Sequence, residues 1–570
     1  MSWDVNRRTF VGGVGALAAA GLGLPAYAKN GKKLNVLMIV TDQEQSVASY
    51  PKGLLEKLPY HRELMERGML VENYHVHTTP CTPSRSTIFQ GHHTQHTGLF
   101  LNSDNSPNPV AAEDMPTLGH MMQAAGYYTS YKGKWHLSRI NFERNWPRVP
   151  GGIYPSTERA MEKYGFHDYG FDGEELGLTW DGYRADMYVA GDAARSIFDF
   201  VRRDKAGGRP WFLVVGLINP HDIMFYDATG EQAKHRTHPD ILGPLRREPG
   251  DPLYEVDNRF DLPDSFIKDD LSTKPEAHRA IKRLNDLFYG PMPVDDLESW
   301  HRFRNYYYNC LRDVDRRLGQ LLWALKESGQ IDNTVIIYTS DHGERAGAHQ
   351  MRQKAGTMYR EESNIPMIIA HPDFAGGRTT KGLMSAIDIA PTLMTLAGLS
   401  ADEAANRFPE LPGVDVSGLL SAPTAPTERD RRGHFFNYAV AHMWEPASQR
   451  TVGPRPPGEV PDYDKIYDLS KRRLHRGVHD GRWKFARYFA PAHHHMPTDW
   501  KTLNARNDLE LYDTHADPDE LVNLANDPRH RKTVLRLNAM VNALSEREIG
   551  KGLDDGREYP GPTELYNQPG

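Results

Sequence analysis

Leu34-Asn35-Val36-Leu37-Met38-Ile39-Val40 is a short apolar run that ends in Thr41-Asp42-Gln43. Apolar residues without alternation over this length read as a strand buried on both faces, the pattern of a parallel sheet. Working outward, residues 211–217 and 334–340 repeat the pattern, followed by Asn219-Pro220-His221-Asp222 and by Asp341-His342-Gly343-Glu344. Residues 365–370 make a further buried strand. In open α/β sheets ligands gather beyond the carboxyl ends of the strands. Asp42 and Asp341 are therefore placed to share a pocket for one or two metal ions. The ordinary alternative for each is an Asp that caps the next turn.

Between those strands lies Thr79-Pro80-Cys81-Thr82-Pro83-Ser84-Arg85. Pro83 fixes its own backbone and donates no hydrogen bond. Residues 84–90 can form a helix, which puts Cys81 at or just before its N-terminus. Unpaired backbone N–H groups at such an end favour an anion. A cysteine derivative there, with Arg85 one turn inside, suits a nucleophile that attacks an anionic ester. The chain has two cysteines. A Cys81–Cys310 disulfide is one reading. Cys310, however, sits in a helical pattern with Leu311, Val314, Leu318, Leu321 and Leu322, where a small buried thiol is expected.

Cys81-Thr82-Pro83-Ser84-Arg85 resembles the signature of the sulfatase family. The order T-D-Q, C-T-P-S-R, G-K-W-H, N-P-H-D, S-D-H-G and a later lysine matches that family's active-site motifs from Asp42 to Lys354. The resemblance implies the α/β fold of the alkaline phosphatase superfamily: a large domain with a central mixed β-sheet flanked by helices, and a small C-terminal α+β domain with a four-stranded antiparallel sheet. It implies that a formylglycine-generating enzyme oxidises Cys81 to formylglycine, whose hydrate is the nucleophile. Asp42, Gln43, Asp341, His342 and the modified Cys81 would bind one divalent metal. Arg85, Lys134 and Lys354 would neutralise the ester, and Lys134 would also hold the nucleophile. His221 would meet the ester oxygen on the leaving-group side with Lys354. His136 would take the proton that lets the covalent hemiacetal intermediate collapse. Asn102, seventeen residues after Arg85, matches a substrate-binding Asn. Residues 127–131 read as a strand, so Lys134 and His136 would alternate into the site.

Two positions depart from the commonest family pattern. Many members have Asp where Gln43 stands and Asn where His342 stands. The present pairs look more like the phosphonate monoester hydrolase and choline sulfatase branches. Family analogy points to Ca2+, whereas an imidazole ligand suits Mn2+ better than an all-oxygen calcium shell. The alternative function is therefore a phosphonate monoester or phosphodiester hydrolase with the same nucleophile. A third reading is a non-catalytic binding protein that kept the fold.

Composition narrows the partners. The 570 residues suit two domains. With 68 basic and 75 acidic side chains mixed along the chain, net charge −7, nothing suggests nucleic acid. Asn6-Arg7-Arg8-Thr9-Phe10-Val11 opens an apolar Gly- and Ala-rich stretch ending Ala26-Tyr27-Ala28. It reads as a twin-arginine signal over 1–28, with a periplasmic or secreted product and no stable membrane anchor after cleavage. Pro- and Ala-rich residues 421–426 suggest a boundary, giving a catalytic domain over 29–425 and a C-terminal subdomain over 426–570. Residues 483–489 alternate as a strand and 531–546 read as a closing helix. Residues 222–297 and 438–465 read as long polar loops that set substrate choice. Among the 26 histidines, His92, His93, His96, His120 and His349 read as ordinary core or surface residues.

Overall fold

The structure is a computed structural model that describes residues 33–103, 110–138, 161–169, 177–236, 243–439, 470–490 and 496–550. The twin-arginine segment, the run His493-His494-His495 and most of the 438–465 loop lie outside the described residues. Strands β1 (Asn35–Asp42), β2 (Met69–His75), β3 (Tyr128–Gly133), β4 (Trp211–Pro220), β5 (Thr334–Ser340), β6 (Met367–Ala370) and β7 (Arg378–Ser385) form one sheet. Its order is β3-β4-β1-β5-β6-β2-β7. β6 runs antiparallel to both neighbours and every other pair is parallel. The sheet is thus mixed, as the family resemblance implied.

The apolar runs lack alternation because both faces are covered. In β1, Val36, Met38 and Val40 face a core that includes Ile88 and Phe89 of the Cys81–Gln90 helix. Leu37 and Ile39 face the other core, with Ile197 and Leu311 from the helices Asp181–Arg202 and Leu297–Glu327. Each fully buried side chain of this size contributes about 1.5–3 kcal/mol. The long helix starts where Asp296 accepts from the Ser299 N–H and stops at Gly329, in a left-handed conformation. Cys310 lies buried within it, and both cysteines are free.

Strands β8 (His434–Tyr438), β9 (Leu474–His479), β10 (Trp483–Phe489) and β11 (Asp508–Asp513) form a second sheet, antiparallel throughout. The Arg531–Leu544 helix covers it, with Val534, Leu537 and Val541 against Phe435, Val478 and Phe485. That helix ends two residues sooner than its periodicity suggested, because the chain widens into one π turn over Ser545–Ile549. The described residues of the 222–297 stretch are also more ordered than a polar loop. They contain the helix Glu276–Tyr289, which buries Ile281, Leu284 and Phe288 on one face. Among the described residues no helix is long and apolar enough to cross a membrane.

A buried polar line ties the sheet to its helices. His61 Nδ1 donates to Asp315 Oδ1 (2.7 Å), and Nε2 lies 2.8 Å from the Tyr338 hydroxyl. That hydroxyl donates to Glu44 (2.6 Å). Burial works against a charged His61, but Asp315 and then Glu44 outweigh it and raise its pKa from 6.5 to about 9. The folded state therefore holds the proton more tightly than the unfolded chain. This stabilisation, about 3 kcal/mol, is complete below pH 6.5 and is lost as pH rises through 9. Urea unfolding of the wild type between pH 6 and 10 is expected to show this decline, and His61→Asn to remove it. A wild-type stability that stays level across that window would contradict the assignment.

Candidate active site

Strand register assembles the site. Thr41 pairs with Ser340, and Asp42 with Pro220. The chain segments that follow β1, β4 and β5 thus leave the sheet at one end, which brings Asp42, His221 and Asp341 to the same place. The Asp341 N–H donates to the Thr41 carbonyl (3.1 Å) and locks the two carboxylate-bearing turns together. The nucleophile helix begins at Cys81 itself, three residues earlier than its sequence suggested. Its first turn is held from outside, because Asn102 Oδ1 accepts from the Thr82 N–H (3.1 Å).

One ligand atom each from Asp42, Cys81, Asp341 and His342 lies within 4.8 Å of the others, and all four residues are buried. The Cys81 thiol approaches Asp42 Oδ1 at 3.7 Å and His342 Nε2 at 3.2 Å. His342 Nε2 is 3.6 Å from both Asp42 Oδ1 and Asp341 Oδ1. Its Nδ1 donates to the Gly343 carbonyl (3.0 Å), which turns an Nε2 lone pair toward the carboxylates. Burial holds His342 below its ordinary pKa despite Asp341, so it is a neutral donor. Two carboxylates and one imidazole converging in this way fit a divalent cation.

Cations surround the carboxylates. Arg85 Nε donates to Asp341 Oδ2 (2.8 Å), and Arg85 Nη1 to the Lys134 carbonyl (2.8 Å). Lys134 Nζ lies 2.7 Å from Asp42 Oδ2. Burial opposes the charge on Asp42, but the neighbouring cations, Lys134 foremost and Lys354 after it, hold its carboxyl well below the usual range. Burial likewise opposes the charge on Lys134, and Asp42 outweighs it, raising the pKa.

Lys134 and His136 are not carried by the strand alternation that the sequence suggested. β3 ends at Gly133, so both residues sit on the turn beyond it, with His136 at a positive φ of 58°. Trp135 between them anchors the turn among Phe89, Tyr131, Tyr164 and Phe166. The His136 carbonyl accepts from Thr82 Oγ1 (2.5 Å) and Ser103 Oγ (3.2 Å). Gly177, at φ +97°, passes so close that a Cβ there would lie 2.8 Å from His221 Nδ1 and 3.2 Å from Lys134 Nζ. Burial, then Lys354, hold His221 neutral, and its Nδ1 meets no hydrogen-bond partner among the described residues. Lys354 Nζ donates to Gln43 Oε1. Gln43 Nε2 donates in turn to Glu344 Oε2 (2.5 Å), and its backbone N–H to Asp341 Oδ1 (3.2 Å).

Two carboxylates that sequence reasoning passed over organise this framework. Glu344 accepts from Gln43 and from the Ala346 and Gln353 N–H groups. Glu362 accepts from Thr79 Oγ1 (3.0 Å), the Ala355 N–H (2.7 Å), Thr357 Oγ1 (2.6 Å) and Arg345 Nη2 (2.6 Å). It joins the strand exit before Cys81 to the loop that carries Lys354. Glu344 sits inside a recognised motif and was legible by position; Glu362 carries no local signal.

An α/β sheet that brings a helix-borne cysteine, a cluster of groups able to hold a metal ion and buried cations together at its carboxyl end has the make-up of a site for anionic esters. The sulfatase family model matches residues 34–399, and the chain belongs to that family of sulfuric ester hydrolases. An arylsulfatase of Volvox carteri is 26% identical over 567 residues, covering 93% of this chain and 77% of that protein. A choline-sulfatase of Rhizobium meliloti is 24% identical over 519 residues, covering 87% and 83%. In fold, the chain matches the phosphonate monoester hydrolase of Silicibacter pomeroyi with a TM-score of 0.62 at 20% identity, over 92% of this chain and 97% of that one.

Glu362→Gln keeps the shape and removes the charge that Arg345, fully buried, depends on. The variant is expected to lose about 2–3 kcal/mol of stability in urea unfolding. Its kcat is expected to fall roughly tenfold or more with KM little changed, because Cys81 and Lys354 lose a common support. An unchanged kcat in a folded variant would remove Glu362 from the positioning framework.

Proposed function

We propose that the chain hydrolyses a sulfate monoester to an alcohol and inorganic sulfate, with a nucleophile derived from Cys81 and one divalent metal ion. The observation that carries this reading is the position of Cys81 as the first residue of a buried helix, against Asp42, Asp341 and His342 and beside Arg85 and Lys134. Asp42, Asp341 and His342 would hold the ion together with the modified Cys81, and Gln43 is carried as a further ligand. Ca2+ is the ion favoured by family analogy and Mn2+ the alternative favoured by the imidazole. The ion supplies positive charge beside the reacting ester. Conversion of Cys81 to formylglycine supplies a hydrated aldehyde with two hydroxyl groups in place of one thiol.

The chain's own residues then divide the work. Arg85 and Lys134 neutralise the ester's oxygens and hold the attacking hydroxyl between them. Asp341, fixed by Arg85, accepts that hydroxyl's proton. Lys354 and His221 stand on the leaving-group side, where one of them gives a proton to the departing alcohol. His136 takes the remaining hydroxyl's proton so that sulfate leaves. Asn102 supports the helix end and is assigned to the substrate pocket with it. The same residues serve a phosphonate monoester or phosphodiester, and Gln43 with His342 favours that second reading. The segment with Arg7 and Arg8 supports export of the folded enzyme by the twin-arginine pathway to the periplasm or beyond.

Protein from a host with a formylglycine-generating enzyme is expected to carry a Cys81 peptide lighter by about 18 Da, the change from thiol to aldehyde. An intact thiol there would remove the proposed nucleophile. Cys81→Ala is expected to cut turnover of 4-nitrophenyl sulfate by roughly 10^4-fold or more while the fold persists. Chelation is expected to abolish activity, and Ca2+ or Mn2+ to restore it. Faster turnover of a 4-nitrophenyl phosphonate ester than of the sulfate would favour the second reading.

A further inference from the structure

His77 lies four residues before Cys81 and His93 three residues after Gln90, so the pair brackets the nucleophile helix. Both meet Glu548 from the C-terminal π turn. One ring nitrogen of each histidine and one carboxylate oxygen of Glu548 lie within 4.8 Å of one another, and all three residues are buried. These residues are separate from the cluster at Asp42.

The hydrogen bonds prepare His77 as a ligand. Its Nδ1 donates to the Phe435 carbonyl (2.5 Å). A carbonyl only accepts, so the ring proton sits on Nδ1 and Nε2 presents a lone pair. That Nε2 is buried without a hydrogen-bond partner among the described residues. An unsatisfied buried polar atom of this kind is rare and calls for a ligand. A backbone carbonyl behind the far nitrogen is also how metal-binding histidines are oriented. Burial, followed by the neighbouring His93, keeps His77 neutral.

His93 Nε2 lies 2.9 Å from Glu548 Oε2. The other oxygen, Oε1, accepts from Arg429 Nη1 (2.7 Å). Arg429 also donates to both oxygens of Asp388 (2.7 and 3.0 Å). Two carboxylates thus share one guanidinium, and this bonded trio carries one net negative charge. A surface cavity of about 470 Å³ reaches Glu548 past His96, Glu410, Arg432 and Arg547.

We propose that His77, His93 and Glu548 form a second metal site that takes Zn2+. Two imidazoles and one carboxylate are a zinc donor set, whereas Ca2+ requires more oxygen ligands than this cluster has. Binding displaces the hydrogen between His93 Nε2 and Glu548 Oε2, to the ring's other nitrogen or to solvent, so the ligands are two imidazole nitrogens and a carboxylate oxygen. The ion ties the C-terminal turn to the segments at both ends of the nucleophile helix. The site stabilises the catalytic framework and takes no part in the reaction.

The test uses the full chain in two forms, wild type with its active site saturated with Ca2+ and the Asp341→Asn variant, which weakens the active-site metal cluster. After chelation and removal of the chelator, Zn2+ is titrated and bound metal is counted by plasma mass spectrometry, with melting temperature recorded in parallel. One equivalent of Zn2+ is expected in the Asp341→Asn protein, with a rise in melting temperature of about 3–8 °C at saturation. His77→Asn and His93→Gln in that background, each checked for fold by circular dichroism, are expected to weaken zinc binding at least 100-fold. Co2+ in the Asp341→Asn protein gives a visible spectrum that reports nitrogen and oxygen ligation without a further substitution. The proposal is overturned if no stoichiometric zinc binds, or if a bound equivalent survives both histidine substitutions.

Discussion

Asp42 and Asp341 are buried side by side at the carboxyl end of the sheet, and the architecture around them answers the cost of that burial. An unpaired carboxylate in the interior costs several kcal/mol. Here each has a cation in contact, Lys134 against Asp42 at 2.7 Å and Arg85 against Asp341 at 2.8 Å. Those cations come from the turn after β3 and from the nucleophile helix, so neutralising the carboxylates fixes both elements relative to β1 and β5. A group of charges that balances only when every segment is present makes the site a late and cooperative product of the fold.

Beyond the charged centre, rigidity comes from carboxylates that meet backbone N–H groups. Glu344 and Glu362 each gather donors from separate loops, and Asn102 does the same on a smaller scale for the first turn of the nucleophile helix. Catalysis of this kind depends on positioning groups to a fraction of an ångström. The donors are backbone N–H groups and side chains of loops, such as Thr79, Thr357 and Arg345, and the carboxylates draw them inward.

The histidine seam between the two sheets follows another logic. His434 stacks on His75 and tilts against His77, with ring centroids 5.1 and 4.9 Å apart, and burial with mutual repulsion keeps the three neutral. Neutral imidazoles pack as flat aromatic surfaces and still carry lone pairs. Where a carboxylate joins them, at Glu548, the packing surface becomes a set of donors for a transition metal. Two clusters of different hardness thus flank one helix. The carboxylate-rich one lies at the chemistry and the imidazole-rich one lies behind it.

The division between sequence and tertiary structure follows from the range of the forces involved. The buried strands at residues 34–40, 211–217 and 334–340, the position of Cys81 at a helix mouth and the order of the motifs were all legible, because apolar patterning and motif spacing are local. The sequence by itself therefore determined the α/β class and the family, and it pointed to Asp42, Cys81, Asp341 and His342, which the fold brings together. It misjudged the element carrying Lys134 and His136, which is a turn anchored by Trp135, since a strand's end depends on what its neighbours pair with. It missed Glu362 and read His93 as an ordinary residue, because their partners lie 283 and 455 positions away. Tertiary structure alone decided which carboxylates meet which cations and which imidazoles keep a free lone pair. Electrostatic and hydrogen-bond partners are chosen by distance in space, and only the folded chain sets that distance.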